Sequence, residues 1–111
     1  MNYFAIGAIS ACIVILLGAF GAHGLKEKLE SLQTVEIYKT AVLYHMIHSM
    51  ALFIVNSLKT DHAGYFFLAG IIFFSGSLYL LSITGIKWLG AITPIGGVCF
   101  LIGWLLILFT K

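Results

Sequence analysis

Four stretches of mostly apolar residues, 3–23, 41–58, 65–83 and 91–110, alternate along the chain with short polar breaks. A helix needs roughly 20 apolar residues to cross a hydrocarbon core of about 30 Å, so each stretch predicts a transmembrane helix. The charged residues keep to the breaks. Lys26, Glu27, Lys28, Glu30, Glu36 and Lys39 precede the second stretch, Lys59 and Asp61 the third, Lys87 the fourth, and Lys111 follows it. A charge near the bilayer centre costs about 3 kcal/mol or more, so this segregation marks the span boundaries. Spanning strands would show alternating polarity over about ten residues, and these stretches do not. The pattern therefore predicts an all-α membrane protein: one four-transmembrane-helix bundle over residues 1–111.

The first connection, 24–40, is the long one. Leu25, Leu29, Leu32 and Val35 recur there at near-helical spacing, with Lys and Glu between them. This predicts a partly helical segment that either lies along the interface or extends the second helix outward. The breaks at 59–64 and 84–90 read as tight turns. Four crossings place both termini on one side of the membrane. The connections on the other side carry Lys26, Lys28, Lys39 and Lys87, against Lys59 and Lys111 on the termini side, so lysine counting alone puts the termini outside.

Composition agrees with this picture. Of 111 residues, 61% are hydrophobic and 9% charged, where a soluble domain carries about 25% charged residues. Six Lys and no Arg leave no basic stripe for nucleic acid. The run Ile9-Ser10-Ala11-Cys12 imitates a lipidated-cysteine site, and 18–22 imitates a cleavage site. Neither has a basic segment before it, and the apolar run continues past Cys12, so neither processing event is expected. Cys12 and Cys99 read as two apolar core thiols.

Because the helices alternate in direction and each residue advances about 1.5 Å, depth can be assigned to the polar side chains. His23, then Tyr44, His45, His48 and Ser49, then Ser75, Ser77, Tyr79 and Ser82, then Thr93 and Pro94 all fall in the half nearer the first and third connections. Ser10, Asn56, Ser57 and Tyr65 fall in the other half. Intramembrane histidines and hydroxyls are costly unless paired or facing a cavity, which makes His23, Tyr44, His48, Ser49, Ser75, Ser77, Tyr79 and Thr93 a candidate polar cluster. A hydrogen-bonded network joining the helices is the plainest role for it.

Other chemistries fit less well. His45 and His48 share one helical face, and His23 at similar depth completes a candidate metal set. No Glu or Cys stands beside them at ligand spacing. A haem held by His23 and a histidine of the second helix has no attachment motif to support it. A proton relay through His48 and Tyr79 lacks an intramembrane acid, as does a dyad of His48 and Ser75. No catalytic group and no cofactor are therefore expected. Gly18, Gly21, Gly24, Gly96, Gly97 and Gly103 have the small-residue spacing that lets helices approach closely, within the chain or with a second copy. Pro94 opens the fourth helix, where its missing N–H costs nothing.

Four motifs occur in order: Gly18-Ala-Phe-Gly-Ala-His23-Gly24, Tyr44-His-Met-Ile-His48-Ser49, Phe74-Ser-Gly-Ser-Leu-Tyr79 and Thr93-Pro-Ile-Gly-Gly97. With them the chain resembles the small bacterial membrane proteins called domain of unknown function 423, which are similar to the eukaryotic transmembrane protein 256 family. The resemblance implies four helices, an inner-membrane location and no particular activity. It implies that His23, Tyr44, His48, Ser75, Ser77, Tyr79, Thr93 and Pro94 are the characteristic residues. His45 departs from the pattern, where Gln is common, which counts against a three-histidine metal site. Basic second connections and C-terminal tails in such proteins imply cytoplasmic termini, and this implication is preferred here to the lysine count. The expected role is a non-enzymatic accessory or envelope protein whose partners are the bilayer and a second copy. The rival expectations are a binder or conduit for a small molecule, lipid or ion through the polar cluster, and metal or haem binding through His23 and His48.

Overall fold

A computed structural model describes residues 2–110, and Lys111 lies outside them. Helix α1 (Tyr3–Ala22) starts at Asn2, whose side chain accepts a hydrogen bond from the Ala5 amide at 3.0 Å and so satisfies one of the free N–H groups of the first turn. The first connection is partly helical, and its end extends the second span outward as one of the two expectations had it. Helix α2 (Lys26–Leu32) is a short separate segment, and α3 (Val35–Leu58) begins six residues before 41, the start expected from hydropathy. Between them the buried Thr34 hydroxyl donates to the Ser82 carbonyl at 2.7 Å, which fastens the connection to the far end of the third span.

That third span departs from the expected 65–83. It begins with α4 (Asp61–Gly70), passes through a π-helical turn, Ile71–Gly76, and ends as α5 (Ser77–Thr84). Asp61 is therefore helical and not part of a loop. A carboxylate in the first turn faces the positive end of the helix dipole, so the charge favours the start it occupies. Gly85 ends α5 at φ 74°, a left-handed conformation that glycine takes without a Cβ penalty. A 3₁₀ turn, Lys87–Ala91, leads into α6 (Thr93–Leu108), with Pro94 in its first turn as expected.

Four helical rods are long and apolar enough to cross a membrane: Tyr3–Ala22, Val35–Leu58, Asp61–Thr84 and Lys87–Leu108. Helix α1 packs chiefly along α3, and α6 along α4 and the π turn. The third rod joins these two pairs by packing on both α3 and α6. The contact faces are marked by small and polar residues, because apolar side chains gain as much from lipid as from each other. On α1 the buried positions are Tyr3, Gly7, Ser10 and Val14, three or four apart and so on one stripe. Phe4, Ile13, Leu16 and Phe20 point outward, as do Leu101, Leu105 and Leu108 of α6. Gly96 is the closest backbone approach: a Cβ there would overlap the backbone of Phe73 and Phe74, so α6 meets the π turn with no side chain between.

An apolar cluster of Tyr3, Ala51, Leu52, Val55, Ala63, Phe67 and Phe100 fills the space between the start of α1, the end of α3, α4 and α6. The polar side chains lie above it, from the middle of α3 towards the first connection.

Candidate functional site

The buried polar groups sort into two hydrogen-bonded assemblies on adjoining faces of α3, with smaller clasps nearby. Helix α3 presents His45 and Ser49 towards α1 and His48 towards α6. The positions are three and four apart, so the helical turn separates His48 from the other two only partly, and neighbours on two sides complete the separation.

The first assembly is a chain whose hydrogens can be counted. Ser49 donates its one hydroxyl hydrogen to the His45 carbonyl one turn back, at 2.8 Å. The 2.6 Å contact between the Ser10 and Ser49 hydroxyls must then be donated by Ser10. With its hydrogen spent, Ser10 can only accept from His45 Nε2, 3.0 Å away. A neutral His45 carries one ring proton, so its Nδ1 accepts from the Tyr79 hydroxyl at 2.9 Å. The sequence of donors runs from Tyr79 to His45, Ser10, Ser49 and back to the His45 backbone. It ties α1, α3 and α5 together.

The second assembly fixes the opposite tautomer. The Trp104 indole, which can only donate, gives its Nε1 hydrogen to His48 Nε2 at 3.0 Å. The proton of His48 is therefore on Nδ1, and it goes to the Tyr44 carbonyl at 2.7 Å. The imidazole lies parallel to the Phe100 ring with centroids 3.5 Å apart, and the Phe67 and Trp104 rings close its sides at 5.5 and 5.8 Å. An imidazolium here would turn two protons on Trp104 and Tyr44, and Trp104 has nothing to accept with.

The smaller clasps involve three more of the expected residues. Ser75, fully buried in the π turn, donates to the Ala41 carbonyl at 2.9 Å. Ser77 and Thr93 share a 2.7 Å hydroxyl contact that joins α5 to the start of α6. Tyr38, which was not singled out from sequence, donates to the Leu17 carbonyl and packs its ring on that of Tyr79. Among the described residues, no buried side-chain nitrogen or oxygen lacks a hydrogen-bond partner.

The structure thus brings Ser49 and Tyr79 into one assembly, puts Tyr44 and His48 in another, and gives Ser75, Ser77 and Thr93 local partners. His23 stands apart, exposed at the end of α1. Three placements correct the reading of the sequence. The partner of Tyr79 is His45 and not His48, because His45 occupies the face of α3 turned to α5. Ser10 belongs with His45 and Ser49, because α3 starts at Val35 and not at 41, which puts His45 near its middle and level with Ser10 of α1. Cys12 is exposed on the outer face of α1 and is not a core thiol, while Cys99 is half-buried, and both are free. Trp104 was missed because an aromatic residue on the last span resembles an interface anchor. His45 and His48 each commit both ring nitrogens to separate partners, and no three His, Cys, Asp or Glu side chains converge among the described residues.

The family model described as "Protein of unknown function (DUF423)" matches residues 17–97, which include α2, α3, the third rod and the first turn of α6. The "UPF0382 membrane protein YwdK" of Bacillus subtilis (strain 168) is 46% identical, over 95% of this chain and 91% of its own length. A UPF0382 membrane protein of Staphylococcus aureus (strain bovine RF122 / ET3-1) is 45% identical over 96% of this chain and 91% of its own. One from Staphylococcus epidermidis (strain ATCC 12228 / FDA PCI 1200) is 43% identical over 95% and 90%. No solved structure matches.

Proposed function

The chain belongs to the DUF423 family of membrane proteins, and from that premise we propose that it is a non-catalytic accessory protein of the cell membrane whose intramembrane polar groups lock its helices together. The count of hydrogens carries this reading. The ring nitrogens of His45 and His48 and the hydroxyls of Ser10, Ser49 and Tyr79 are all hydrogen-bonded within the chain, which supports a structural role for them over a substrate-binding one. A histidine needed as a base, a ligand or a relay would have to give up one of these partners.

Both termini lie in the cytoplasm under this proposal, as the family pattern implies. A second copy of the chain meets the outer face of α6, where Gly97 is less closely covered than Gly96 and Gly103. Gly96 and Gly103 take part in packing within the chain instead, against the Phe73–Phe74 backbone and the Phe67 ring.

The test is the thermal stability of the purified protein in detergent. His48→Ala, which leaves the Trp104 indole without its acceptor, is expected to lower it, while the wild-type protein shows no haem absorbance band and no stoichiometric metal. Wild-type stability in His48→Ala, or a bound metal lost with that substitution, would overturn the reading.

A further inference from the structure

We infer that the groove between the end of α1, α2 and the start of α3 is a phospholipid site, which takes one acyl chain and a headgroup that carries both a phosphate and a primary amine. Two adjoining hollows, of about 400 and 290 Å³, share the wall residues Gly21, Ala22, Leu29, Val35 and Lys39, so they form one groove. Its inner part reaches Gly18, Val42 and Met46 and carries no charge beyond Lys39. Lys39 and Met46 are seven residues apart on α3, about 10 Å along the helix, so the apolar part runs well below the level of the charges.

The outer part is different. Lys26 and Lys39 stand at its mouth with Glu30. An apolar slot that ends at two ammonium groups matches an amphiphile with a phosphate at its polar end, and basic pockets between transmembrane helices take lipid headgroups by this means. Lysine stems lie along apolar surface and carry the charge to the interface. Lys39 also reaches Glu36 at 3.6 Å, but both side chains are largely exposed, and such a pair contributes little that a phosphate would have to replace. Glu30 decides between headgroups. It repels a purely anionic one and accepts from an ammonium, so the mouth suits a phosphoethanolamine headgroup better than a phosphoglycerol one.

The floor of the groove is fixed before any lipid arrives. Tyr38 is buried and holds the Leu17 carbonyl, and its ring covers Gly21. Gly18 leaves room instead: a Cβ there would have only Val42 nearby, at an ordinary 3.7 Å. A longer side chain at position 18 therefore enters the groove without displacing α1 from α3. The site is independent of the polar lock, so the failure of either proposal leaves the other standing.

The test uses the full chain reconstituted in equimolar palmitoyl-oleoyl phosphatidylethanolamine and phosphatidylglycerol, with the retained lipid read by native mass spectrometry after mild detergent extraction. The wild type is expected to retain phosphatidylethanolamine over phosphatidylglycerol by about threefold, the effect of one exposed ion pair. Gly18→Leu and the double variant Lys26→Gln/Lys39→Gln are each expected to lose the retained lipid, and Glu30→Gln to shift retention towards phosphatidylglycerol. The lysine substitutions are on exposed positions and keep the inference open to test even where Gly18→Leu fails to fold. Equal retention of the two lipids by the wild type, or unchanged retention by the lysine double variant, overturns it.

Discussion

Trp104 of α6 donates to Nε2 of His48 on α3, and this bond can be made by one neutral tautomer of the imidazole only. On the adjoining face of α3, His45 is held in the other tautomer, since its Nε2 donates to Ser10, whose own hydrogen is already given to Ser49. Two histidines one turn apart thus carry their protons on different nitrogens. Nitrogen-15 spectra of histidine-labelled protein at neutral pH are expected to show, beside the exposed His23 and His62, one Nδ1–H and one Nε2–H imidazole with slow proton exchange. In Trp104→Phe the Nδ1–H signal should lose its uniqueness, and the protein should lose about 1 kcal/mol of stability, the usual worth of one such bond. Two identical tautomers in the wild type would contradict the count of hydrogens.

The Tyr79, His45, Ser10 and Ser49 chain predicts coupling between residues that do not touch. Ser10→Ala removes the acceptor of His45 Nε2–H, and Tyr79→Phe removes the donor to Nδ1. With Ser10 gone, the imidazole is free to take the other tautomer, and Tyr79 then becomes an acceptor. The two substitutions should therefore be non-additive in a double-mutant cycle of thermal stability. Single intramembrane hydrogen bonds average about 0.6 kcal/mol and reach about 1.7, which bounds each single effect. Strict additivity would mean that His45 does not relay the influence of one hydroxyl to the other.

The number of spans was legible because charges are excluded from hydrocarbon whatever the packing. The helices themselves start earlier than hydropathy suggests, at Val35, Asp61 and Lys87, because charged first turns continue them outward. The register of the helices was much less legible. In α1 nearly every residue is apolar, so no stripe of hydropathy marks the face that meets α3. The marks are Gly7 and Ser10, whose small size matters only once the partner helix is known. The π turn at Ile71–Gly76 has no signal in composition, and it is stabilised by tertiary contacts, among them the Ser75 bond to Ala41. Reading depth from residue count grouped Ser75, Ser77 and Thr93 sensibly. It failed for Ser10, because α3 begins six residues before the start read from hydropathy, which moves His45 to mid-helix and level with Ser10.

Gly96 gives a prediction of packing and not of polarity. Its missing side chain lets α6 lie directly on the backbone of Phe73 and Phe74, a rigid neighbour that cannot rotate away. Gly96→Ala is expected to cost about 1–3 kcal/mol, the range for forcing extra volume into a packed core. Gly97→Ala, one residue on and in ordinary contact with the Phe74 ring, should be nearly neutral. Comparison of the two melting temperatures in one detergent checks this, and equal losses would place the close approach elsewhere on α6.

Zinc supplies the last test, because the lock and a metal site make opposite demands on the same nitrogens. His45 donates from Nε2 and accepts at Nδ1, while His48 does the reverse, and all four atoms have partners within 3.0 Å. A metal would have to displace Trp104 or Tyr79 and would leave a polar group without a partner, at about 1–3 kcal/mol for each. His23 is at the exposed end of α1 and cannot complete a site with them without unwinding that end. A ligand that binds only the folded state raises stability by about 2.7 kcal/mol at one hundred times its Kd. Micromolar to millimolar Zn²⁺ is therefore expected to leave the melting temperature of the wild type unchanged. A rise of several degrees that disappears in His45→Asn would show that the imidazoles rearrange to bind metal, and the lock would then be only one of two states of the protein.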